Sequence, residues 1–250
     1  MKAVSTANVV EEELRKTDLT SIGLNDRLTR SGSRIFMDGE PISPVLEREV
    51  ISILDSKDPD TQKHWKAFAL FIKDLYSNNT KYIREQLFDW LESNFESSSK
   101  GFTLLDDGRI VGYKGCANSD GIPMSEMSGL GLVKEKGQDS FTEINGFIPN
   151  KVGSVVMMPR TMVTNDPAQG CSKGLHIGTW DYAYSWGSGF VLTVAFSAAD
   201  VVSVPIDCDY QKLRACKYEV LNITEQPSND ITLDYAGFDD EDEDDDDDDE

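Results

Sequence analysis

The segment Met158–Thr179, MPRTMVTNDPAQGCSKGLHIGT, sets Arg160, Cys171, Lys173 and His176 among Pro, Gly, Asn and Asp residues. A thiol, an imidazole and a guanidinium so close in sequence can be read as nucleophile, base and anion clamp. Cys171 would be the thiolate, His176 the group that takes its proton, and Arg160 the clamp. No third group that would orient the base is supplied, and no cysteine-protease signature surrounds Cys171. A zinc reading would join Cys171 and His176 to Cys116, Cys208 or Cys216. The short paired spacings of structural zinc sites are missing, so no metal ligand is assigned.

A further chemical reading rests on the layout of GLHIGTWDYAYSWG: a strand, a short helix ending in Gly, then an apolar strand. This layout resembles the NAD-cradling core of ADP-ribosyltransferase-type folds, which would make Arg160, His176 and Glu219 the nucleotide-contacting and catalytic groups. The simplest reading is structural. Pro159 and Pro167 stiffen the backbone, Gly170 and Gly174 permit turns, and Asn165 and Asp166 close Asx-turns. Cys171 is then a small buried hydrophobe, His176 one member of an alternating strand, and Arg160 the partner of an acid such as Asp166 or Glu219. No catalytic residue is assigned on this reading. Arg160, Lys173 and Arg214 remain as candidate binding residues, and no cofactor is called for.

The elements that must hold this segment can be read from periodicity. Residues 1–31 are polar and weakly periodic, with a short amphipathic stretch at Val9–Leu14, and read as a flexible arm. Arg34–Met37 is β-like and Asp38-Gly39 is a hairpin turn signal. Ser43-Pro44 is an N-cap and first-position pair for a helix carrying Leu46, Val50, Ile53 and Leu54 on one face. Asp60 is expected to cap a second helix, whose stripe is Trp65, Phe68, Ala69, Ile72, Leu75 and Tyr76. A third helix repeats the pattern through Ile83, Leu87, Trp90 and Leu91.

From Phe102 the period shortens to that of strands. FTLLDDGRIVGYKG reads as a hairpin turning at Asp107-Gly108, and residues 116–150, rich in Gly and Ser, as a long excursion between strands. Strands are expected in VGSVVMMP, GLHIGT, GFVLTVAF, DVVSVPI and KYEVLNI, with WDYAYSW a short helix. The fold class is therefore α+β: a helical layer over 32–100 that includes the hairpin, then a mainly antiparallel β-rich domain over 101–232. A disordered acidic tail is expected over 233–250.

Bulk charge narrows the function. Residues 239–250 are all Asp or Glu, and without them the formal charge falls from −21 to −9. Such a run repels itself and extends, serving solubility or engaging a basic partner. With no Lys/Arg stripe to offset this acidity, direct nucleic-acid binding is excluded from the reading. The N-terminus has no apolar core of signal-peptide length. The most apolar run, GFVLTVAFSAA, is too short to cross a bilayer. The cysteines at 116, 171, 208 and 216 show no CxxC pair, as expected of a reducing cytoplasm.

Several separated segments together resemble the bacteriophage rIIB family over roughly residues 32–226. They are the Met-Pro-Arg-Thr stretch at Met158–Thr161, the Cys-Ser-basic-Gly-Leu-His element at Cys171–His176, and the strand Asp200–Asp207 followed by Lys212 and Arg214. Tyr218–Val220, LLDDGRIVGYKG and GSRIFMDGEPISPVLEREVISILDS complete the set. The acidic tail and the 116–150 excursion look like additions to the family pattern. The longer N-terminal region of T-even members, which resembles a helix-turn-helix, has no counterpart here, so DNA binding is not carried over. The resemblance implies an early phage accessory protein that acts through protein contacts with an rIIA-like phage protein. It would work in the host cytoplasm and peripherally at the inner membrane, influencing lysis timing and protecting infection against prophage exclusion. It transfers no catalytic residue.

Overall fold

The computed structural model of the chain describes residues 24, 27–56, 59–77, 80–98 and 103–224. Most of the arm expected over 1–31, including Val9–Leu14, and the tail expected over 233–250 lie outside the described residues. A small antiparallel sheet comes first, built from β1 (Leu28–Ser31), β2 (Arg34–Met37) and β3 (Glu40–Pro41). Asp38 and Gly39 join β2 to β3 with φ of 54° and 81°. Two consecutive positive φ values match the twist of a tight hairpin, as the Asp-Gly pair signalled.

Helix α1 (Pro44–Asp55) starts where Ser43 and Pro44 place it, with the Ser43 hydroxyl accepting from the Leu46 amide at 3.3 Å. Its Glu47 reaches back to β2, accepting from the Ile35 amide at 2.8 Å and from Arg34 Nε at 2.9 Å. Helix α2 (Pro59–Ser77) begins at Pro59, so Asp60 lies inside the helix rather than capping it. Proline suits this first-turn position because its missing N–H would have had no helical partner. Helix α3 (Lys81–Ser98) completes the layer. Trp65, Phe68, Ala69, Ile72 and Leu75 of α2 are buried as the stripe implies, with Leu87, Trp90 and Leu91 of α3. Burial of an aromatic of this size contributes about 2–3 kcal/mol.

The second half forms one antiparallel sheet. Its strands are β4 (Ile110–Ser119), β5 (Ile122–Met124), β6 (Gly129–Lys134), β7 (Thr142–Gly146), β8 (Val155–Met157), β9 (Leu175–Gly178), β10 (Phe190–Phe196), β11 (Val201–Ser203), β12 (Lys212–Ala215) and β13 (Lys217–Ile223). The order across the sheet is β11-β12-β9-β4-β10-β13-β8-β6-β7, with β5 paired to the far end of β4. The hairpin at Asp107-Gly108 forms, with Leu104 bridged to Ile110. Residues 116–150 are not an excursion: they supply the end of β4 and all of β5, β6 and β7.

Strand β4 is covered on both faces, and two glycines three residues apart make that possible. A Cβ at Gly112 would sit 2.5 Å from the Ile177 side chain and 3.2 Å from Phe196, on the side where Trp90 of α3 packs edge-on against Phe196. A Cβ at Gly115 would meet the Ala183 carbonyl at 2.5 Å and the Gly187 nitrogen at 2.6 Å. Those atoms belong to and follow α4 (Trp180–Trp186), which is capped by the Thr179 hydroxyl. Successive residues of a strand point to opposite faces, so positions 112 and 115 open opposite sides of the sheet.

A candidate contact site around Arg214

The segment singled out by its chemistry lies where β9 and β12 run side by side. It leaves β8 at Met158, whose amide donates to the Cys216 carbonyl at 2.8 Å. It passes through a 3-10 turn at Arg160–Met162 and returns as β9, with the Thr164 amide bound to the Lys173 carbonyl at 2.9 Å. The loop so closed has few backbone bonds of its own. Arg214 of β12 supplies the rest.

Arg214 has no exposed surface. Its Nη1 donates to the Thr164 carbonyl at 3.2 Å, the Asp166 carbonyl at 3.1 Å and the Ser203 hydroxyl at 3.0 Å. Its Nη2 donates to the Gly170 carbonyl at 3.0 Å and also to the Gln169 carbonyl. The planar five-donor fork of arginine fits this gathering of oxygens, where a lysine would offer a point charge. Burial pulls the Arg214 pKa below its ordinary value, while Asp207 and Asp166 act in the opposite sense.

His176 stands opposite Arg214 in the β9–β12 ladder. Burial, then the charges of Lys114, Arg214 and Lys212, push its pKa down to about 3, against a small opposing effect of the Ser172 backbone. The imidazole is therefore neutral at physiological pH. Lys114 approaches from β4, its Nζ donating to the His176 carbonyl at 3.2 Å and lying 5.6 Å from the centre of the Tyr218 ring. Burial holds its pKa below the usual lysine value, with Cys116 and Glu126 acting the other way. Lys212, two residues before Arg214 and on the same face of β12, binds Asp207 at 2.8 Å and lies over the Tyr182 ring. Burial raises the Asp207 pKa, but the Lys212 ammonium outweighs it and the net shift is downward.

The sequence candidates separate in space. Cys171 is exposed, not the buried hydrophobe expected. No hydrogen bond joins Cys171 to His176. Arg160 does not take its place beside Asp166 or Glu219. Its Nη1 donates to the Ala199 carbonyl at 2.8 Å and its Nη2 to the Val201 carbonyl at 2.7 Å, fastening the 3-10 turn to the start of β11. Asp166 instead caps its own loop through the Ala168 amide and Gln169, and Glu219 takes Arg109 at 2.6 Å. Glu219 is on β13, three strand positions from β9 in the sheet. That is about 14 Å between the strands, so Glu219 is not beside His176 and is paired with Arg109 instead. Lys173 is exposed. Among the described residues no three His, Cys, Asp or Glu side chains gather as a metal site, and no helix is long and apolar enough to cross a membrane.

Sequence reasoning missed Lys114, Tyr182 and the Asp207–Lys212 pair. The signal for the last was present: Lys212 and Arg214 alternate, which in a strand puts both on one face. The exposed aromatics were also missed. Tyr184 (68% exposed) stacks on Trp180, and Trp186 (57% exposed) leans on Tyr182, so α4 turns a row of rings outward.

Comparison with known proteins covers most of these elements. The family model described as Bacteriophage T4 protein rIIB matches residues 47–234. That range starts within α1, so the small sheet before it lies ahead of the matched residues, although the resemblance was expected from residue 32. Protein rIIB of Enterobacteria phage T4 is 31% identical over 198 residues, covering 78% of this chain and 53% of that protein. The chain thus spans about half the length of this relative. No solved structure matches. With β4 to β13, the Arg214 cluster and most of the helical layer inside the matched range, the chain belongs to the bacteriophage rIIB family.

Proposed function

We propose that this chain is a phage accessory protein that works through protein contacts in the infected host, affecting lysis timing and protection against prophage exclusion. The observation that carries this reading is the use of Arg214. Arg214 is buried and spent on the loop carbonyls and the Ser203 hydroxyl, which favours reading the loop as a braced surface rather than a substrate pocket. What the brace leaves outward is contact chemistry: exposed Lys173 beside Cys171, and the rings of Tyr184 and Trp186. Aromatic residues of this kind are enriched at the cores of protein interfaces.

The partner that fits best is an rIIA-like phage protein, met in the host cytoplasm and peripherally at the inner membrane. The acidic run at 239–250 would add a basic partner through long-range attraction. The test is affinity purification of the tagged chain from infected cells, with soluble and membrane fractions analysed separately by mass spectrometry. One phage protein recovered at a fixed ratio, enriched in the membrane fraction, is the expected result. A chain that comes out alone from both fractions would overturn the reading.

A further inference from the structure

Two of the cysteines are not enclosed by the core. Cys171 is exposed and Cys208 half-buried, whereas Cys116 and Cys216 are buried. Far apart in sequence, the first two have flanking residues that touch. A Cβ built on Gly170 would lie 3.1 Å from the Cβ of Asp207 and collide with its carboxylate. The Ile206 amide donates to the Pro167 carbonyl at 3.2 Å, so the two loops run together over several residues. The thiols also share their surroundings, for both lie near enough to act electrostatically on Tyr182 and on Arg214. Disulfides need Cβ atoms roughly 3.5–4.5 Å apart, and contact between the neighbouring positions 170 and 207 holds the two cysteine-bearing loops against each other. Both cysteines lie in loops, so a small adjustment would not disturb a strand.

We propose that Cys171 and Cys208 form a reversible oxidation site, closing to a disulfide that fastens the motif loop to the connection between β11 and β12. The oxidant is a peroxide. The Cys171 thiolate attacks one peroxide oxygen, the O–O bond breaks, and the other oxygen leaves as water after taking a proton, giving a sulfenic acid on Cys171. The Cys208 sulfur then attacks the Cys171 sulfur, forming the S–S bond and breaking the S–O bond. Hydroxide leaves and takes up the Cys208 proton as water. In total two thiols and one hydrogen peroxide give one disulfide and two waters, with two electrons passing from sulfur to oxygen. Asp207 is placed to relay the second proton, its Oδ1 lying 3.6 Å from the Cys208 sulfur.

The full chain, treated with a small excess of hydrogen peroxide, alkylated with iodoacetamide and digested, should yield a peptide pair cross-linked at Cys171 and Cys208. The intact mass should fall by two hydrogens, and dithiothreitol should restore it. Buried Cys116 and Cys216 should stay as thiols in the folded chain and serve as internal controls. In Cys208→Ser the cross-link should vanish and dimedone should trap the sulfenic acid on Cys171. Two outcomes would overturn the proposal: Cys171 and Cys208 both still alkylated at wild-type yield after peroxide, or a sulfenic acid on Cys171 with no cross-link while Cys208 is intact. A cross-link found only between chains, in a covalent dimer, would also contradict it.

Discussion

His176 and Arg214 face each other across the β9–β12 ladder, and the histidine stays uncharged first because it is buried and then because Lys114, Arg214 and Lys212 surround it with positive charge. The pair bears on the reading of Cys171 and His176 as nucleophile and base. A base that does not accept a proton until about pH 3 cannot usefully activate a thiol at neutral pH.

The first prediction concerns pH. In the unfolded chain His176 should protonate near pH 6.5, but in the folded chain only near 3. Between those values the unfolded state binds more protons, so stability is complete above about pH 6.5 and declines as pH falls toward 3. Going from pH 7 to pH 5, urea unfolding should show the wild type losing about 2 kcal/mol more than His176→Gln. Equal losses would mean that the imidazole is not held neutral by the fold.

Arg214→Met should keep the side-chain volume while leaving the carbonyls of Thr164, Asp166, Gln169 and Gly170 without their donor. Unmet buried acceptors together should lower stability by about 3 kcal/mol or more. Limited proteolysis should then cut between residues 163 and 174. A variant with the wild-type urea midpoint and cleavage pattern would show that the brace is not needed.

How much of this was legible in the residues varies with how local the signal is. The turn at Asp38-Gly39, the cap at Ser43, the stripe of α2 and the hairpin at Asp107-Gly108 depend on neighbours in the chain, and each forms as expected. Strand β6 was hidden by Gly129 and Gly131, residues that weaken a strand. At Gly131 the sheet uses the missing side chain, because a Cβ there would lie 2.7 Å from Ile148 Cδ1. Strand β12 was hidden because Lys212 and Arg214 read as surface, yet all four of its residues are buried. The carbonyl partners of Arg160 lie forty residues or so downstream, which no local pattern reveals.

Gly115→Ala should force α4 off the sheet, since the added methyl meets backbone atoms of Ala183 and Gly187 that no rotamer can move. The cost should be about 1–3 kcal/mol, read as a lower melting temperature with altered emission from Trp180 and Trp186. An unchanged melting temperature would contradict the close packing of α4 on β4.

Glu219→Gln separates a structural ion pair from a catalytic acid. The Arg109–Glu219 pair is about one-third exposed on both sides, so its loss should cost no more than about 1 kcal/mol and leave function in infected cells intact. Loss of function with the fold preserved would revive Glu219 as a working group.

Deleting residues 239–250 removes only acids. If the run engages a basic partner, the shortened chain should bind that partner more weakly, with a flatter dependence on salt. Unchanged binding and salt dependence would reduce the run to a solubility device.

The decisive measurement is the recovery of protein partners from infected cells by tagged wild-type and His176→Gln chains, at pH 7.5, with circular dichroism confirming that both are folded. A protein that acts through contacts should bring down the same partner in the same amount with either chain, and support the same lysis timing. If the folded His176→Gln chain keeps its partner yet loses its effect on lysis, the imidazole is doing chemistry and the contact reading is wrong.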